Sequence, residues 1–207
     1  MNQQVRKPDI HAPSLLTRLA RDNRRMGIRL AQLEFRELRA ELANPSVFDL
    51  KIDFASAAPP QAPTLPFVLD RYAPHRLPVL NVPLGRIAWT DQPDSLPVIG
   101  VLCPDLDHKV LRHALLDLLA THHAKPFARL LFMCQALRPI PFLGRYGFAY
   151  EFLGNQGFEN AARRAGLRYG AGEIRNLIDG KVIWRRPPDR SDSAAPTNNP
   201  AAAGCSM

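Results

Sequence analysis

Three cysteines in 207 residues, Cys103, Cys134 and Cys205, are too few and too widely spaced for a disulfide framework, and their spacing fits no zinc knuckle. No apolar run is long enough to cross a bilayer, and the opening MNQQVRKPDIHAPS has none of the apolar character of a secretory leader. The expectation is a soluble, cytoplasmic chain with reduced thiols and no membrane partner. Cys205 is third from the end, one place short of a prenylation signal. The phosphate-cradling P-loop, GxGxxG, HExxH, GxSxG and CxxC are all missing. No cofactor or metal is therefore implied, and no catalytic set stands out.

What is present is an ordinary globular composition, 46% apolar, with an uneven distribution of charge. Of the net +8, residues 1–43 carry +4, 44–137 are neutral, 138–190 carry +5 and 191–207 carry −1. Most of this basicity is arginine, whose planar fork suits phosphate and carboxylate partners. A basic protein with an anionic partner is one reading, and simple solubility is the other.

Pro13-Ser14 followed by LLTRLARDNRRMGIRLAQLEFRELRAEL predicts a helix that enters through a Ser cap and stops near Leu42, before Asn44-Pro45. On it Leu15, Leu16, Leu19, Met26, Leu30 and Leu33 share one side, with Arg18, Arg25, Arg29 and Arg36 beside them. Gly27 weakens this helix by about 1 kcal/mol relative to Ala and offers a place to divide it. Three uses compete for the stripe: packing on its own domain, pairing with a partner helix, or lying along a phosphate backbone. VFDLKIDF then alternates as a half-buried strand. The organisation expected is a basic helix and strand over 1–54, a Pro/Ala-rich linker over 55–66, an α+β domain over 67–186 and a disordered tail over 187–207.

Within that domain VLNVPLGRIAW, LPVIGVLC, ARLLFMC and GRYGFAYEF read as strands, RPIPFLG as a loop, and residues from about Leu106 to His122 as a helix. FENAARRAGL reads as a second helix, and EIRNLI and KVIWR form a hairpin about Asp179-Gly180. From residue 97 the order is β-α-β-β-α-β, a ferredoxin-like arrangement. Over 97–185 the chain resembles RNA-recognition-motif domains, with VIGVLCPDLDHKVLRHAL in place of their first strand and helix and RYGFAYEF set against their [KR]-G-[FY]-[GA]-F-V-x-[FY] strand. The resemblance implies bases stacked on aromatics of an open sheet face. Val98 stands where the family has an aromatic, however, and period-two alternation puts Tyr146, Phe148 and Tyr150 on one face with Phe152, which the resemblance assigns to the core. The stripe is therefore expected in the core, unless a bulge at Gly147 turns part of it over.

Two sets of residues carry candidate chemistry. In CPDLDHK, at a strand end and helix start, Asp105 and Asp107 would suit a metal or phosphoryl centre, with Cys103 activated by the helix N-terminus. The competing reading makes Asp105 a helix cap and Asp107 a dipole partner, with Cys103 a small apolar strand residue. The second set, Arg163, Arg164, Arg168, Arg175, Lys181, Arg185 and Arg186, lies on the last helix and the hairpin and is expected to converge on phosphates together with Arg18, Arg25, Arg29 and Arg36. The leading expectation is a non-enzymatic module that binds nucleic acid. The alternatives are protein assembly or self-association through residues 14–42, and a metal-dependent enzyme centred on Asp105 and Asp107.

Overall fold

A computed structural model describes residues 12–49, 78–154 and 157–187. Among them a long helix, α1 (Ala12–Ala43), precedes β1 (Val98–Cys103), α2 (His108–Ala124), β2 (Arg129–Cys134), α3 (Ile140–Arg145), β3 (Ala149–Phe152), α4 (Phe158–Tyr169), β4 (Glu173–Asn176) and β5 (Val182–Arg185). No helix among the described residues is long and apolar enough to cross a membrane.

The strands form one mixed sheet in the order β3-β2-β1-β4-β5. β1 pairs in parallel with both β2 and β4, β2 pairs in parallel with β3, and only β5 runs antiparallel to its neighbour. Alternation along the buried strands assigns the two faces. Ile99, Val101 and Cys103, with Leu130 and Phe132, point at Leu111, Leu115 and Leu119 of α2, whereas Leu131, Met133 and Ile174 meet Ala161, Ala162 and Ala165 of α4. The chain steps outward from β1 to β3 by way of α2 and α3, then returns across the sheet to β4. A constant crossover handedness puts α4, the connection of that return, on the opposite face.

The helices and mixed sheet agree with the expected combination of α and β, but the ferredoxin-like order is replaced. That order requires β2 and β3 to be antiparallel. Instead RPIPFLG, expected as a loop, contains α3, whose Pro141 sits in the first turn where a missing N–H costs nothing. Phe142 and Leu143 bury against the α2 side and reverse the chain, so that β3 is parallel to β2. The implied RNA-recognition-motif sheet is lost with it. The aromatic stripe is divided for the same reason. Arg145 ends α3, Gly147 turns the chain at φ 71°, and only Ala149–Phe152 form a strand. Tyr146 and Phe148 are core residues, while Tyr150 and Phe152 are each 44% exposed on the edge strand. VLNVPLGRIAW is irregular rather than a strand, and α2 begins at His108, two residues later than expected. Val47 and Phe48 form a turn, and residues 50–54 of VFDLKIDF lie outside the described residues, as do 55–66 and 188–207.

α1 is continuous through Gly27 rather than divided there. Glycine is needed at this position because the Trp89 ring lies against the helix, where an added Cβ would clash with it. Beyond this contact Ala31, Leu38 and Leu42 are buried, and Phe35 stacks on His123 at a centroid distance of 4.1 Å. The irregular segment before β1 is tied to α2 by two histidines. The His123 ring is 2.6 Å from the Ile87 carbonyl, and His122 Nε2 donates to the Leu84 carbonyl at 3.1 Å.

Two outcomes are expected from this packing. Gly27→Ala should destabilise the fold by about 1–3 kcal/mol despite the gain in helix propensity, because overpacking against an aromatic ring outweighs it. Chemical denaturation followed by Trp emission checks this. His122 is fully buried, and burial lowers its pKa from 6.5. As pH falls the unfolded chain takes up the proton first, so the stability present above 6.5 is lost as pH drops through the depressed folded value. Melting temperatures between about pH 7.5 and about pH 5 should fall for the wild type and stay flatter for His122→Gln.

Candidate functional site

The apolar stripe of α1 is not spent on the protein's own core. The buried side chains, Ala31, Leu38 and Leu42, lie on one flank, and Leu16, Leu19, Met26, Leu30 and Leu33 lie about 120° around the helix at 100° per residue. These five and Leu15 are between 49% and 66% exposed. No side chain from residue 15 to residue 30 is buried, and among the described residues this part of the helix is tied to the body by Arg24 Nη1 to Asp91 at 3.3 Å. Arg18, Arg25, Arg29 and Arg36 are exposed beside the leucines. Packing on its own domain, one of the three uses open to the stripe, therefore falls to a different face.

The second half of α1 is fixed to the body by a carboxylate that sequence reading overlooked. Glu41 accepts from Tyr146 Oη at 2.7 Å and from Arg145 Nη1 at 2.5 Å. Burial and this hydrogen bond push the Tyr146 hydroxyl well above the usual phenol range. The partners are separated by half of the chain, and no periodicity marks the contact.

The C-terminal basic residues are divided between the two sides of the sheet. Arg164 is paired with Glu151 on the α4 side, and Arg186 Nη1 reaches the Gly166 carbonyl of α4 at 3.4 Å. Arg175 and Arg185 share Glu173 on the α2 side, at 2.6 and 3.7 Å. Lys181 pairs with Asp179 in the hairpin turn at 3.2 Å, and Arg168 lies over the Tyr169 ring at 6.0 Å. Arg163 is exposed on α4. Strand alternation separates Arg175 and Arg185 from the arginines of α4, and carboxylates neutralise much of the set.

At the carboxyl end of β1, Asp107 rather than Asp105 caps α2, accepting from Lys109 N–H at 2.8 Å. Asp105 is exposed and lies 3.9 Å from Arg138 Nη1. The Cys103 thiol is raised well above its ordinary value by a hydrogen bond with Cys134 and by burial, so the helix N-terminus does not activate it. Open α/β sheets bind ligands where the strand order reverses, here between the carboxyl ends of β1 and β4. That crevice is closed by Leu177, which is buried and donates its N–H to the Leu102 carbonyl at 3.0 Å. Among the described residues no three His, Cys, Asp or Glu side chains gather to hold a metal. An open groove of about 850 Å³ lies along the flank of α2, lined by Ile99, Ala114, Leu118, Phe127, Leu177 and Arg175 among others.

Replacing the cap should show this division of roles. Asp107→Ala is expected to cost about 0.5–2 kcal/mol in chemical denaturation through the lost α2 cap, and the exposed Asp105→Ala to stay within about 0.5 kcal/mol of the wild type. Compared with known proteins, the chain matches no family model, no curated protein and no solved structure.

Proposed function

We propose that this protein is an assembly module whose projecting helix pairs with another helix, while its α/β body anchors that helix in a fixed direction. The observation that carries the reading is the exposed stripe Leu16, Leu19, Met26, Leu30 and Leu33 on a helix that already packs on its own body through a different flank. Two physical costs make an unpaired state unfavourable. A contiguous apolar stripe on a helix is hydrated at a free-energy cost. The half of α1 before Gly27 also receives little tertiary support, and helical segments of about 12–15 residues are marginal in water alone. Pairing with a second helix offsets both.

Engagement of nucleic acid is the second reading. The observation that favours it is the exposed row Arg18, Arg25, Arg29 and Arg36 beside the stripe; Arg163 and Arg168 lie apart from it, on α4 across the sheet. The pairing of Arg164, Arg175, Lys181 and Arg185 with carboxylates weighs against a larger contribution from the C-terminal set. A metal-dependent reaction at Asp105 and Asp107 has the least support, since one caps a helix and the other faces Arg138.

One variant separates the first two readings. Leu19→Glu/Leu30→Glu should abolish the assembly of the full chain, whether homomeric by light scattering or heteromeric by affinity purification. It should leave stability within about 0.5 kcal/mol, because both positions are exposed. Identical mass and identical bound proteins for wild type and variant would overturn the assembly reading. Binding of labelled duplex DNA or single-stranded RNA that weakens steeply with salt and survives the leucine change would transfer the function to the arginines.

A further inference from the structure

The spacing of the exposed stripe is more specific than exposure alone. Leu16, Leu19, Asn23, Met26, Leu30 and Leu33 follow one another at alternating intervals of three and four, the a and d positions of three successive heptads. Leu16, Asn23 and Leu30 are the a positions, and Leu19, Met26 and Leu33 are the d positions. All six are exposed. The residues that pack on the body fall on b and f positions (Ala31, Phe35, Leu38 and Leu42) and, at Gly27, on one e position covered by Trp89, so the body leaves the a and d positions themselves open.

We infer that the occupant of this seam is a second copy of the same chain, forming a parallel, in-register two-stranded coiled coil over residues 16–36. The inference rests on the assembly reading above. Two features on the helix select this partner and orientation. Asn23 is a polar residue at a single a position, where it meets its own copy only in a parallel, in-register pair and the two amides hydrogen-bond to each other. An antiparallel pair centred on the stripe sets Asn23 opposite Met26 and leaves the buried amide without a partner. Charge supplies the second feature. Arg29 is a g position and Glu34 the following e position, so each helix offers Arg29 to Glu34 of the other copy in the parallel register. The next pair in that register, Arg36 with Glu41, is not offered, because Glu41 is held by Arg145 and Tyr146. The seam therefore ends where α1 becomes part of the body, and the two bodies lie at the same end of the coiled coil.

The test uses the full chain with Cys205→Ser, in which Cys103 and Cys134 are buried. Light scattering from about 1 μM to about 1 mM covers the range in which a short interface dissociates, and should show a monomer–dimer equilibrium. Leu19→Cys should form an intermolecular disulfide at least about tenfold faster than Arg18→Cys, because equivalent d positions face each other and raise the effective thiol concentration. Arg29→Glu should weaken the dimer and Arg29→Glu/Glu34→Arg should restore it, while Asn23→Leu should strengthen association and admit larger oligomers. A monomer throughout the concentration range overturns the homodimer. The broader helix-pairing reading then survives only if a bound protein is lost from Leu19→Glu/Leu30→Glu, so the two failures are distinguishable. A dimer that cross-links no faster through Leu19→Cys than through Arg18→Cys overturns the parallel register.

Discussion

The Glu41 carboxylate fixes the second half of α1 to the body, and which face of the helix is left exposed depends on that contact. It receives the Tyr146 hydroxyl and the Arg145 guanidinium just where the chain leaves α3, while Leu38 and Leu42 bury against the α2 layer on the adjacent flank. A charge-assisted pair of hydrogen bonds at a partly buried carboxylate is geometrically selective. With the second half of this 32-residue helix so fixed, no side chain from residue 15 to residue 30 is buried. The exposed leucines thus follow from the anchoring of the second half of the helix and need no separate cause.

The sheet holds the body together through its strand ends. Parallel strands flanked by α2 and α4 place their carboxyl ends together, the usual location of ligands in such folds. Here those ends are occupied by structural bonds. Leu177 seals β4 to β1, Gln135 N–H bonds to the Cys103 carbonyl, and Leu153 N–H bonds to the Cys134 carbonyl, so successive connections tie the ends of neighbouring strands. Asp107 is committed to α2.

Much of this architecture was legible in the residues. The apolar runs of β1 and β2, the Asp179-Gly180 hairpin and the extent of α1 all follow from periodicity and turn chemistry. The topology hinged on α3, six residues that read as a loop because Pro139 precedes them and Pro141 lies among them, although proline is favourable in a first helical turn. Recognising that turn would have reversed β3 and with it the fold. The facing of α1 was hidden for another reason. Leucines dominate one stripe, but the flank that packs uses Gly27, Ala31 and Phe35, whose partners Trp89 and His123 are remote in sequence. Proximity along the chain likewise grouped Arg175 and Arg185 with Arg163 and Arg164, whereas alternation on a strand decides which side of a sheet a charge occupies.

The two tryptophans occupy matching positions on opposite sides of the sheet. Trp89 lies on Gly27 of α1, and Trp184 lies on Gly166 of α4, where an added Cβ would be 3.0 Å from the indole. Each ring is seated on the one residue of its helix that leaves room for it, so each indole's environment reports on a different layer. The protein therefore carries two built-in optical reporters, one beneath the projecting helix and one on the far face. With either indole replaced by phenylalanine, the emission of the other tells whether a disturbance began at the helix or in the body.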